Sequence, residues 1–178
     1  MPDEYDVFIS AAESAVALGD HGNAEQHFLA ALEIAEGKGD DSRLTYTLES
    51  LAETFWYQQK FSLAAPVLRR LLRKYERKLG CDHFDVAIVA NNMAMLYHAW
   101  GKYADAEPFY KQALGIKERV LGRNHPETKM IRGNYRDVLT LLKRFDEASK
   151  LDAGSHARNT SEWRRSKLSS ESVPRVKV

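Results

Sequence analysis

Apolar residues along this chain recur at spacings of three and four, and alternating runs rich in Val, Ile and Thr are absent. A 3.6-residue period places positions i, i+3, i+4 and i+7 on one helix face, so the pattern predicts an all-α protein. Four first helices are expected over about 4–18, 43–58, 85–100 and 127–142, and four second helices over about 21–36, 61–79, 103–121 and 145–157. His125-Pro126-Glu127 reads as a helix start, because Pro is tolerated at the first helical position and an acid suits the positive end of the helix dipole.

The chain also repeats on itself. A shift of 42 residues brings Leu51, Ala52 and Phe55 onto Met93, Ala94 and Tyr97, and Phe61 and Ala64 onto Tyr103 and Ala106. The same shift superimposes Leu79, Gly80 and His83 on Leu121, Gly122 and His125. A second shift brings Tyr97 onto Leu139, Tyr103 onto Phe145 and Ala106 onto Ala148, and a shift of 40 in the other direction puts Ala12, Gly19, Ala24, Phe28 and Ala31 in the same slots. Four units follow, near residues 5–44, 45–86, 87–128 and 129–158. Each is one helix hairpin. Small residues let its two helices approach, and aromatics fill the wedge between hairpins. A single hairpin leaves an apolar face wet, so the units must stack.

The third unit, Met93-Ala94-x-x-Tyr97-x-x-x-Gly101-x-Tyr103-x-x-Ala106-x-x-x-Tyr110-x-x-Ala113, resembles the tetratricopeptide repeat. The 42-residue period exceeds the usual length of about 34, and the segment from Lys117 to Glu127 supplies the excess. That segment, with its Leu121-Gly122 and His125-Pro126, resembles the inter-repeat linker of the kinesin light chain group, as do Asn91-Asn92-Met93-Ala94 and Ala106-Glu107-Pro108. The resemblance spans about residues 5–150. It implies an alpha-alpha solenoid, a right-handed superhelical stack of antiparallel hairpins, with about four repeats in a domain over residues 1–158. Residues 159–178 are Ser-rich and basic without apolar periodicity, and are expected to form a disordered tail. Three departures stand out. Gln59 replaces the turn glycine of unit two, and His21 stands where unit three has Tyr103. Arg136 takes the small slot held by Ala52 and Ala94. An arginine is costly to bury unpaired, so the fourth hairpin is expected to be a cap, splayed or exposed on that side.

Composition narrows the function. The 178 residues are 44% hydrophobic and 29% charged, ordinary values for a globular chain. No window of 18 consecutive apolar residues occurs, and the acidic start MPDEYDVF lacks an apolar signal core, so neither a membrane span nor a secretory signal is expected. The single cysteine, Cys81, excludes a disulfide framework within the chain and fits a reducing, cytoplasmic location. The net charge of +1 hides a polarity: residues 1–42 hold ten acids and one base, a net −9, so the remainder carries +10. Such a field steers partners and allows head-to-tail self-association.

No Gly-rich phosphate loop, nucleophile elbow or His-Glu-x-x-His motif occurs, and neither an enzymatic activity nor a cofactor or metal is expected. Cys81-Asp82-His83 pairs a thiol with a base, but His83 repeats as His125, which favours a polar turn. In the resembled family the first helices line a concave groove. The face opposed to packing then comprises Asp6, Ser10, Glu13 and Ala17; Tyr46, Ser50, Glu53 and Tyr57; Ile88, Asn92, Met95 and Ala99; and Met130, Asn134, Asp137 and Leu141. Asn92 and Asn134 match the family asparagine that hydrogen-bonds a bound peptide backbone, a role suited to an amide that both donates and accepts. These sixteen positions hold four acids and no Lys or Arg, which disfavours a peptide ending in acidic residues and favours an apolar or aromatic segment with basic flanks. The reading is a protein–protein interaction scaffold that takes a peptide on Tyr46, Ser50, Glu53, Tyr57, Asn92, Met95, Asn134 and Asp137. The alternative is a nucleic-acid-associated protein acting through Arg69, Arg70, Arg73, Lys74 and Arg77 of helix 61–79 and through the basic tail. A solvated outer face explains that cluster more simply, and nucleic acid and membrane are not the expected partners.

Overall fold

The computed structural model describes residues 2–152. Among them are eight helices: α1 Glu4–Ala17, α2 His21–Lys38, α3 Asp41–Tyr57, α4 Phe61–Leu79, α5 Phe84–Ala99, α6 Tyr103–Leu121, α7 Pro126–Leu141 and α8 Phe145–Asp152. They pair as four hairpins, and each helix packs chiefly on its neighbours in sequence, as expected of a linear stack. The expected disordered tail, and the far end of the helix expected over 145–157, lie outside the described residues.

Local chemistry sets the helix boundaries. The Asp3, Asp20 and Asp40 side chains each accept the backbone N–H of a residue two or three positions on, capping α1, α2 and α3. His83 and His125 do the same with Nδ1, from the N–H of Asp85 at 3.2 Å and of Glu127 at 3.3 Å. The polar turn reading of Cys81-Asp82-His83 thus acquires a cause, since the imidazole starts α5. Within each hairpin the turn needs one left-handed residue. Gly19 (φ 74°) and Gly101 (φ 77°) supply it in units one and three, and Gln59 (φ 57°) and Lys143 (φ 60°) are forced into it in units two and four.

Alanines sit where the helices of a hairpin touch: Ala12 and Ala24, Ala52 and Ala64, Ala94 and Ala106, and Ala148 are all buried. Aromatic rings fill the space within and between hairpins. Trp56 and Trp100 flank Phe61, with ring centroids 5.8 and 6.4 Å away, and Tyr110 stacks on Tyr135 at 6.2 Å.

The fourth hairpin is not splayed, contrary to the sequence expectation. Ile131, Tyr135, Val138 and Leu139 of α7 are buried in the common core. Arg136 is accommodated because its long side chain reaches out of the small slot, half-buried, to Asp137 at 3.2 Å. The deeply buried arginine is instead Arg132, 1% exposed, whose Nη2 donates to Glu118 at 2.6 Å and to the Arg123 carbonyl at 3.1 Å. Beside it Lys117 is buried over the Phe84 ring and paired with Glu127 at 2.6 Å. Both cations join α6 to the linker and α7.

Candidate functional site: the exposed face of the first helices

The 3.6-residue period leaves one stripe of each first helix without a packing partner. On the i, i+4, i+7, i+11 stripe, Tyr46, Tyr57, Ile88, Met130 and Leu141 are each between 38% and 50% exposed. Large apolar groups exposed in register on three successive first helices form the type of patch that marks an interaction surface. Asn92, on the same stripe of α5, and Asn134, on that of α7, are half-buried, and Ser50 holds the corresponding place on α3.

Two tyrosines are held in place. The Tyr46 hydroxyl donates to the Glu13 carboxylate, tying α3 to α1. Burial first, then the hydrogen bond and charge of Glu13, push its pKa up to about 12. Tyr57 stacks on His21 with centroids 4.8 Å apart, and burial followed by the neighbouring Glu53 carboxylate raises its pKa. His21, the apparent departure from the repeat's aromatic slot, therefore still acts as a flat ring. Glu53 is exposed and Asp137 half-buried on the stripe, so it keeps acidic points among its apolar ones.

Met95 lies elsewhere than its spacing suggests. It is 8% exposed and receives a hydrogen bond on sulfur from the Asn91 amide at 3.2 Å, so it forms floor rather than open surface. Ile88 and Met130 supply the contact area instead. They share the stripe's spacing with Met95, and the packing around each helix decides which of the three stays exposed.

The cations of α4 divide into two groups. Arg70 pairs with Glu36 of α2, and Lys74 and Lys78 both pair with Asp41 of α3, Lys78 at 3.1 Å. Arg69 donates to the Tyr97 hydroxyl at 2.8 Å. Desolvation, then the charges of Lys78 and Arg77, lower the Lys74 pKa. Arg73 and Arg77 stay exposed, with Arg77 Nε donating to the Arg73 carbonyl at 3.3 Å. A cleft of about 380 Å³ lined by Asp41, Leu44, Arg70, Lys74, Arg77 and Lys78 lies among them. Arg70 is thus spent on the acidic first hairpin, and Lys74 and Lys78 on Asp41 of their own hairpin. Lys60 with Glu25 and Arg43 with Asp3 extend the same neutralisation.

Among the described residues, no group of three or more His, Cys, Asp or Glu is arranged to hold a metal, and no helix is long and apolar enough to cross a membrane. Cys81 is exposed.

Comparison with known proteins agrees with this architecture. A Clustered mitochondria protein homolog of Meyerozyma guilliermondii is 32% identical over 88 residues, 49% of this chain and 7% of the relative. The chain thus spans less than a tenth of the length of the curated relatives it matches. Among solved structures, BtubC (BKLC) from P. vanneervenii superposes with a TM-score of 0.70 at 22% identity, covering 87% of this chain and 66% of that one. A Podospora anserina protein of nearly identical TPR-like repeats gives 0.71 at 15% identity, covering 85% of this chain and 74% of that one. At these identities the likeness shows the fold, an alpha-alpha solenoid. Such repeats generally mediate protein–protein interaction. The tetratricopeptide repeat model matches residues 45–119 and 85–153, more than half of the sequence, and the chain belongs to the tetratricopeptide repeat family.

Proposed function

We propose that this protein is a non-enzymatic scaffold that binds a peptide segment of a partner protein along the exposed stripe of its first helices. The carrying observation is the register of Tyr46, Tyr57, Ile88, Met130 and Leu141, five large apolar groups exposed on that one stripe. Covering the part of each group still exposed gives about 1 kcal/mol, and with the backbone hydrogen bonds of Asn92 and Asn134 this suits micromolar affinity, roughly −8 kcal/mol. Asn92 and Asn134 hydrogen-bond the peptide backbone. Glu13, Glu53 and Asp137 attract basic flanks and repel an acidic terminus.

Selection from a random-peptide display library on the immobilised chain, followed by calorimetry, tests this. The selected peptides are expected to carry aromatic or aliphatic residues flanked by Lys or Arg. Asn92→Ala and Tyr57→Ala should each weaken them about tenfold or more, and Arg73→Ala should not. Peptides that bind Asn92→Ala and Tyr57→Ala as well as the parent would place the binding site elsewhere.

A further inference from the structure

The stripe by which one hairpin packs on its predecessor recurs in all four units. In α3 it is Thr47, Leu51, Thr54 and Gln58; in α5 it is Val89, Met93, Leu96 and Trp100; in α7 it is Ile131, Tyr135, Val138 and Leu142. The first three of each set are buried, and the fourth is partly buried. Each set meets the second helix before it. Gln58 donates to the His21 carbonyl and to Glu25, Trp100 packs on Phe61, and Tyr135 meets Tyr110 and Glu107.

The same stripe in α1 is Val7, Ala11, Ser14 and Leu18. No described element covers it. Val7 is 54% exposed and Leu18 is 85% exposed, the highest value of any large hydrophobic residue described. The opposite end carries the matching half. Phe145 opens α8 as Phe61 opens α4, but where Phe61 is covered by Trp56 and Trp100, Phe145 is 62% exposed, second only to Leu18. Leu18 is the repeat equivalent of Trp100, and Phe145 that of Phe61. Among the described residues, the two most exposed large apolar side chains are therefore the two halves of one inter-hairpin contact that the chain already forms internally.

We infer that the chain associates head to tail with a second copy, α1 of one copy packing on α8 of the next as α5 packs on α4. The interface continues the internal hairpin stacking by one step. Charge favours the same pairing. Beyond the acids held in internal ion pairs, the first hairpin keeps Glu4, Glu13, Asp20 and Glu33 for a partner, and residues 150–178 hold seven bases and three acids, or +4. Such a contact is heterologous, so each copy keeps one free half for the next.

Sedimentation of the full chain over a concentration series, with Leu18→Glu and Phe145→Glu variants, tests this. The parent is expected to grow in mass with concentration. Each variant should weaken association by about tenfold or more, from the loss of one buried apolar group. Both side chains are exposed, so helicity by circular dichroism should stay at the parent value. The distinguishing result is complementation. Leu18→Glu keeps an intact α8 end and Phe145→Glu an intact α1 end, so an equimolar mixture of the two should form heterodimers and no larger species. A parent that stays monomeric at every concentration overturns the inference. So do single variants that associate as the parent does, and a monomer in which carbene footprinting finds Leu18 and Phe145 protected by another segment of the same chain.

Discussion

Arg132 offers a direct measure of what buried charge does in this stack. One and two units earlier the same slot holds Ala90 and Leu48, both buried in the core. The slot is therefore built for an apolar side chain, and Arg132 occupies it because Glu118 and the Arg123 carbonyl receive its Nη2. Desolvating an ion costs several kcal/mol, offset only while its partners remain. Removing one partner of a fully buried pair costs about 3–5 kcal/mol. The Glu118 side chain is 36% exposed, so solvent screens part of the attraction, and Glu118→Ala is expected to cost about 2 kcal/mol. Arg132→Leu removes the ion together with its need for a partner. Its gain in apolar burial is set against the Arg123 carbonyl left without its donor, and the net change is expected to lie within about 1 kcal/mol of zero. The double variant should then match Arg132→Leu alone, giving a coupling of about 2 kcal/mol. Urea unfolding followed by circular dichroism, with an unchanged m value, reads all three. If Glu118→Ala proves harmless while Arg132→Leu costs several kcal/mol, the arginine stabilises through its packing, and the account of an apolar slot holding a tolerated ion is refuted.

Two further outcomes follow from backbone and burial. Gln59→Gly relieves a left-handed turn residue worth about 1–2 kcal/mol but loosens the unfolded chain by up to about 1 kcal/mol, so thermal unfolding should rise by roughly 1–3 °C. Gly80→Ala should instead cost about 2 kcal/mol, because φ 89° with ψ 153° is open almost solely to glycine although no atom lies near the added Cβ. Burial lowers the pKa of His98, which packs against Tyr103 and Tyr110, with Asp137 opposing the shift. The unfolded chain therefore takes up this proton first, and stability should fall as pH drops below about 6.5, with no contribution above it. His98→Gln should flatten that slope in urea titrations, and an unchanged slope would assign it to another group.

The fold was legible because the 3.6-residue period, the alanine slots and the 42-residue shift all report the same hairpin, and the helix start at His125-Pro126-Glu127 was a local signal. The fates of Arg132 and Arg136 were not legible. The repeat register singled out Arg136, in the small slot, and gave no sign of Arg132, because the partner that admits Arg132 to the core, Glu118, comes from another helix. The partners of the α4 cations were not legible for the same reason, since Glu36 reaches Arg70 only after the hairpins stack and Asp41 reaches Lys74 and Lys78 only once α3 and α4 fold together. At the candidate site, spacing identified Tyr46, Tyr57, Asn92 and Asn134 on the stripe. It also put Met95 there, whose burial beneath Asn91 depends on packing that no single-helix pattern encodes.

The central claim is that the stripe of the first helices, and not the second helices, receives the partner. Methyl-resolved NMR during titration with a library-selected peptide tests it most directly, because both surfaces carry exposed reporters. Ile88 and Met130 lie on the stripe, and Leu63 and Val120 lie on α4 and α6. The account predicts that Ile88 and Met130 shift in proportion to occupancy while Leu63 and Val120 stay in place. Shifts at Leu63 and Val120 with Ile88 and Met130 unmoved would contradict it.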